Sequence, residues 1–322
     1  MEKIPVVMCI DVEPEERLIP TVAQESWPGF EGTVEFFNDQ RRRIESATGS
    51  PVHYSWFFRM DPQIARAYST AAWVVKRYSS IVAKLRKAGD ACGLHVHPWR
   101  WDETLDQWIA DFADQKWVDQ CVRLAFESFH EAFGENCRYF RFGDHWMNNA
   151  TLRLVNRLGA KFDLTLEPGQ RGGHTTEVFT GSFVDCTNVP RFPYRPSRSD
   201  FRKPAYILGR RLWMIPLSVG PASASQPSVA SESARKSGRK TDDAQDYITL
   251  NLYFDSLTLS RIIDGLLSSS RYPYLALVVR TDIVTHPEQH LNLRRTLDWL
   301  LNHRLAAQLA FETPSVMIRR IR

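Results

Sequence analysis

Short apolar runs, rich in β-branched and aromatic residues, recur along the chain at residues 6–10, 52–59, 91–96, 139–142, 162–166, 212–217, 247–254, 274–280 and 307–311. Continuous runs of this length predict strands buried on both faces. Between several of them the apolar positions fall at three- and four-residue spacing, which predicts helices at 71–88, 117–133, 149–158 and 291–301. The first three stop at Gly89, Gly134 and Gly159, a residue that ends a helix at little steric cost. Helix followed by strand, repeated, predicts an α/β fold built on a parallel sheet.

The pattern lapses at about 220–245, where Pro, Ala, Ser and scattered Lys and Arg replace any apolar period. Such a composition buries too little surface to offset the entropy of ordering. Strand-like runs lie on both sides of it. The stretch is therefore expected to be a flexible insertion in a single barrel domain spanning 1–322, not a linker between two domains. No fixed-period repeat interrupts the β/α alternation.

Composition narrows the picture. The chain has 322 residues, 43% of them hydrophobic and 24% charged, ordinary values for a protein with a substantial core. The net charge is only +4, and the dense basic runs are short, at 41–43, 210–211 and 319–322. A nucleic-acid groove needs a stripe of such residues, so no nucleic-acid partner is expected. The five cysteines show no C-x-x-C spacing and are expected to be reduced structural thiols. The first apolar stretch is broken by Asp11, Glu13, Glu15 and Glu16, too short and acidic for a signal peptide. No apolar run reaches the roughly 20 residues that span a bilayer. A cytoplasmic location without a transmembrane segment is the resulting expectation.

Candidate chemistry gathers where the predicted strands end, because parallel sheets collect ligands at the carboxyl ends of their strands. The first strand ends in Ile10-Asp11-Val12-Glu13, and residues two apart on an extended chain share a face. Two carboxylates so placed repel each other unless a cation or a proton relieves them. The third strand ends in His95-Val96-His97, which the same period places together as a neutral imidazole pair suited to a divalent ion. With a carboxylate they supply three ligands and leave a position for water. Arg141 follows on the fourth strand, where a bidentate ion pair holds a carboxylate in its charged form. Asp144, His145 and Trp146 come next, and Trp99 and Trp101 follow the histidine pair. These five are candidate substrate-binding residues; the tryptophans serve either to stack on sugar rings or to anchor packing.

Three segments, 7–13, 93–99 and 140–143 with its following helix, resemble the NodB-like polysaccharide deacetylases of carbohydrate esterase family 4, in the family's order. The resemblance implies a distorted (β/α) barrel of about seven parallel strands. It also implies a hydrolase that removes an acetyl group from an N- or O-acetylated sugar or polysaccharide precursor by metal-activated water. Asp11 matches the aspartate that serves as base in the family's T-F-D-D-G motif, and Arg141 matches the arginine of the third motif. Val12 stands where the family has its metal-binding aspartate, and Trp99 where it has its second histidine. The resemblance therefore implies Glu13, His95 and His97 as ligands of a divalent ion, zinc first among the candidates. The family's late acid histidine would fall near 279–281, where none stands, and His286 is the nearest substitute. Two other readings stay open: an inert carbohydrate-binding relative of the same fold, and a glycosidase working through a carboxylate pair, Asp11 with Glu13 or Asp144.

Overall fold

A computed structural model describes residues 3–16, 18–19, 26–174, 179–205, 209–224, 247–269 and 274–321. The first apolar run becomes Ile4–Val12 (β1), buried along its whole length. It is joined by Ser55–Arg59 (β2), Ala91–Val96 (β3), Tyr139–Phe142 (β4), Phe162–Asp163 (β5), Trp213–Met214 (β6), Leu275–Arg280 (β7) and Leu309–Phe311 (β8). These strands are all parallel, in the order β6-β5-β4-β3-β2-β1-β7, and β8 pairs with the first residues of β1. Irregular backbone spans the gap between β6 and β7. There Leu217 donates to the Leu166 carbonyl at 2.9 Å, Ser218 to Ala276 at 3.0 Å, Leu250 to Ser218 at 2.9 Å and Val278 to Leu250 at 3.1 Å. The sheet thus curls into the distorted (β/α) barrel that the residue pattern and the resemblance implied.

Strand periodicity divides the core. Met8 and Ile10 of β1 pack outward with the helices, whereas Val7 and Cys9 join Phe57, Leu164, Leu217, Ala276 and Val278 in a separate inner cluster. Continuing the inner parity leads from Val7 and Cys9 to Asp11 and Glu13, from Phe57 to Arg59, and from Ala276 and Val278 to Arg280. The apolar barrel interior therefore changes to charge at the carboxyl ends of its strands. Gly93 keeps the interior passable, since a Cβ there would lie 2.6 Å from the Tyr139 carbonyl and 2.9 Å from the Phe57 ring.

Three expectations change. The helix expected at 71–88 is two, Trp73–Arg77 and Ser79–Lys87. They meet at Tyr78, whose backbone leaves the helical region (φ −109°, ψ 33°). Its hydroxyl accepts from the Trp27 amide at 2.7 Å, and its ring meets Phe30 and Trp73 edge-on, so tertiary contact overrides local spacing here. A long helix with no counterpart in the expected elements covers Pro28–Thr48 (α1), entered through Pro28 and closed by Gly49 in the left-handed region (φ 64°). The strand expected at 247–254 is regular only over Tyr247–Thr249, antiparallel to Val219–Pro221. Most of the insertion expected at about 220–245 lies outside the described residues, from 225 onward. All five cysteines are free, and among the described residues no helix is long and apolar enough to cross a membrane.

Candidate functional site

Sheet register builds the site. Asp11 lies opposite Arg280 of β7, Arg59 opposite His95, and His95 opposite Arg141. Arg59, His95 and Arg141 thus form a row across β2, β3 and β4, with Asp11 and Arg280 forming another across β1 and β7. Together with Glu13 and His97, just beyond their strands, they bring most of the site to one end of the barrel. Asp11, Glu13, Arg59, His95, His97 and Arg141 are each at most 4% exposed. The four residues Asp11, Glu13, His95 and His97 expected to converge do so, and Arg141 joins them.

Each side chain is held by more than one partner. Arg141 Nε donates to both Asp11 oxygens at 3.0 Å, and its Nη1 donates to the Leu164 carbonyl at 2.7 Å. Thr281 clamps the backbone of Glu13, its Oγ1 accepting from the Glu13 amide at 3.0 Å and donating to the Glu13 carbonyl at 2.8 Å. The Glu13 carboxylate lies 3.3 Å from His95 Nε2, 3.5 Å from His97 Nε2, and 3.6 Å from both Arg59 Nη1 and Arg280 Nε. The two Nε2 atoms are 2.9 Å apart, with the rings nearly perpendicular at 83°. Asp61 ties the next layer together: it accepts from Arg59 Nε at 2.7 Å and from the His97 amide at 3.2 Å, and it caps the helix Pro62–Tyr68.

This environment fixes the protonation states. Burial pushes the Glu13 carboxyl upward, but the Arg280 charge and the hydrogen bonds from His95 and His97 outweigh it and hold the group well below the usual carboxylate range. Burial, followed by the charge of Arg59, holds His97 well below the usual imidazole value against the opposing pull of Glu13. A carboxylate and a neutral imidazole are the forms that bind metal. Glu13, His95 and His97 offer ligand atoms that all lie within 4.8 Å of one another. The two Nε2 atoms stand 2.9 Å apart and face different oxygens of the carboxylate, His95 at 3.3 Å from Oε1 and His97 at 3.5 Å from Oε2, spacings of the order found between neighbouring ligands held at about 2.0–2.2 Å from one ion. His97 Nδ1 meets Asp144 at 2.9 Å, the carboxylate–imidazole arrangement that orients a metal-binding histidine. These residues fit a divalent ion.

The turn after β4 carries a second arrangement. Asp144 and His145 are both in the left-handed region, with φ 53° and 56°. Asp144 reaches His97, while His145 Nδ1 lies 2.5 Å from Glu167 Oε1. Glu167 is buried; burial raises its pKa, but the His145 charge and hydrogen bond, with Arg141 and Thr249, outweigh that and lower it. Gly143 permits the close approach of this turn, since a Cβ there would fall 2.2 Å from His97 Cε1.

The tryptophans are placed differently from one another. Trp99, 1% exposed, packs against Phe179, and Trp146, 5% exposed, stacks on Phe112 at 5.3 Å. Both are packing anchors here, because rings enclosed by aromatic neighbours have no face left for a sugar. Trp101 is partly exposed, edge-on to Trp108 with Arg66 over its ring. His286 is exposed, its Nδ1 2.9 Å from the Asp282 carbonyl. Arg59, Asp61, Glu167 and Arg280 also belong to the site, although sequence reasoning did not single them out. Each of these four ends or closely follows an expected strand, the signal that identified Asp11 and His95.

No protein-family model matches the chain, and no curated protein matches it. Solved structures do. A putative glycoside hydrolase/deacetylase from Parabacteroides distasonis aligns over 97% of this chain and 70% of its own, with 11% identity and a TM-score of 0.60. Puue allantoinase aligns over 98% and 89%, with 11% identity and a TM-score of 0.50. A putative polysaccharide deacetylase from Mycobacterium smegmatis aligns over 99% and 90%, with 12% identity and a TM-score of 0.49. The barrel, its strand order and the alignment with the Parabacteroides structure together give the chain the fold of that glycoside hydrolase/deacetylase.

Proposed function

We propose that the protein is a metal-dependent hydrolase that cleaves an acetyl amide or ester on a sugar or sugar-polymer precursor. The observation that carries this reading is the buried Glu13–His95–His97 triangle beside an arginine-clamped Asp11, all at the carboxyl end of the barrel. In this reading Glu13, His95 and His97 hold a divalent ion, zinc being the first candidate. Such an ion, when bound, polarises a carbonyl and lowers the pKa of water to about 7. Asp11 takes the proton of the attacking water, and Arg141 fixes the direction of its carboxylate through two equal contacts. Asp144 orients His97. Of the three candidate tryptophans, Trp101 is the one that keeps exposed surface for a sugar ring. The likeness of the fold to a putative glycoside hydrolase/deacetylase supports the same class. We read 1–322 as one barrel domain, and location in the cytoplasm remains part of the proposal.

A glycosidase working through Asp11 and Glu13 is less well supported. One member of such a pair must keep its proton, whereas Glu13 is held well below the usual carboxylate range by Arg280 and the two histidines against the opposing effect of burial, and Arg141 grips both oxygens of Asp11. The test combines metal analysis of the purified protein with acetate release from a panel of N- and O-acetylated sugars. About one bound divalent ion per chain is expected, with acetate release that a chelator abolishes and added metal restores. His95→Ala and His97→Ala should lose both metal and turnover. Unchanged metal content and turnover in both variants would sink the assignment. Tight sugar binding with no acetate released would identify an inert binding protein instead.

A further inference from the structure

Amide hydrolysis needs a proton for the departing nitrogen, and the residues given roles above supply no donor. Asp11 is clamped by Arg141, Glu13 and the two strand-end histidines form the donor triangle, and Asp144 is committed to His97. Arg59, Arg141 and Arg280 stay charged and cannot give up a proton. His145 remains. Its side chain is 36% exposed, so the ring reaches solvent, yet its Nδ1 is taken by a carboxylate that is only 4% exposed. Glu167 cannot swing away: Thr249 Oγ1 donates to its other oxygen at 2.6 Å, Gln170 donates to that oxygen as well, and Arg141 Nη2 stands 4.0 Å from the first. Because Arg141 also grips Asp11, the His145–Glu167 pair and the candidate base share one guanidinium.

The backbone points to the same place. Two consecutive non-glycine residues in the left-handed region cost on the order of 1 kcal/mol or more each. The conformation is kept where one of them reaches His97 and the next reaches Glu167.

We infer that His145, oriented by Glu167, is the acid that protonates the leaving nitrogen; the inference rests on the proposed amide hydrolysis. Water oxygen bonds to the carbonyl carbon while one water proton passes to Asp11. The C–N bond then breaks, its electron pair stays on nitrogen, and nitrogen takes the proton from His145 Nε2. The proton on Asp11 returns to His145 through solvent, leaving acetic acid, which ionises, and a free amine. The Glu167 carboxylate stands at ion-pair distance from Nδ1, which leaves Nε2 as the ring nitrogen turned from it and open to this transfer. Glu167 is a positioning residue.

The test compares wild type, His145→Ala and Glu167→Gln on an N-acetyl sugar, whose amine leaves poorly, and on p-nitrophenyl acetate, whose phenolate needs no proton. Metal content is measured in parallel. His145→Ala should lower kcat on the amide by about 10²–10⁴-fold, change ester turnover only a few-fold, retain its metal, and recover part of its amide activity when free imidazole is added. Glu167→Gln should lie between the two. Equal losses on amide and ester without imidazole rescue would show a structural role and overturn the inference, as would an undiminished amide rate. A wild-type protein that binds metal but releases acetate from neither substrate would remove the deacetylase reading, and this inference with it.

Discussion

The two sides of the barrel are built differently. From β1 to β4 the strands pair in long registers, five consecutive pairs between β2 and β3 and three between β3 and β4. From β5 to β7 they do not: β5 and β6 share two pairs, and single hydrogen bonds from Ser218 and Leu250 complete the wall. The regular side supplies Asp11, Glu13, Arg59, His95, His97 and Arg141, whose relative positions follow from the register. The irregular side supplies Glu167, which reaches His145 from the loop after β5, and Thr249, which ends a short strand and donates to Glu167. Ion pairs in the first set are dictated by the sheet, whereas contacts in the second depend on how the loops pack. Substitutions in the regular rows should therefore be felt globally, and those on the loop side locally.

The largest effect is expected at Arg141. Its removal leaves Asp11 buried without a cation, and breaking a buried pair in this way costs about 3–5 kcal/mol. Arg141→Ala should lower Tm by roughly 4–7 °C. Arg43→Ala, which cuts a half-exposed pair with Asp298, should cost less than about 1 kcal/mol. Thermal unfolding of the two variants checks the contrast. Similar, small shifts in both would mean that the charged rows add little to stability.

Gly143→Ala probes the seam between the two sides. Its methyl would fall on the His97 ring, and overpacking of this kind costs about 1–3 kcal/mol. Because the ring rather than the sheet must yield, metal content should fall more sharply than Tm. Metal retained at wild-type levels would show that His97 is not a ligand.

The same division explains what could be read from the sequence. β1, β3 and β4 are buried on both faces, so they appear as unbroken apolar runs, and period-two parity then carries Asp11 to Glu13 and His95 to His97. Arg59 and Arg280 also close apolar runs, but a charge at a strand end looks the same whether it meets solvent or the barrel interior. Only their register opposite His95 and Asp11 separates the two cases. α1 went unread because Thr33 and Gln40 sit in its buried stripe with Phe30, Val34, Phe37 and Ile44, which dilutes the apolar period. Trp99 and Trp146 follow strand ends as binding residues do, and their enclosure by Phe179 and Phe112 is tertiary information.

On the loop side a smaller effect is expected from Thr249→Val. It keeps the shape of the side chain and removes one donor to Glu167, a loss of about 1 kcal/mol. Amide turnover should fall while metal content and the unfolding midpoint stay near wild type. If metal were lost as well, the loops would be coupled to the regular rows more tightly than their separate construction implies.

A further effect is expected at Asp163 of β5, and it has a definite sign. This carboxyl is fully buried, and burial raises it from the ordinary 3.8 to about 7 against the opposing hydrogen bonds from Thr165. Between those two values the unfolded chain has lost its proton and the folded chain keeps it. The group's stabilising contribution is therefore complete below about 3.8 and diminishes as pH rises toward 7. Asp163→Asn carries no titrating proton, so it removes this loss and retains an oxygen to accept from the Thr165 amide. The difference in Tm between pH 5 and pH 8 should shift in favour of the higher pH relative to wild type, by a few degrees at most. An unchanged difference would mean that Asp163 is solvated in the folded chain, and that the irregular side admits water where the regular side does not.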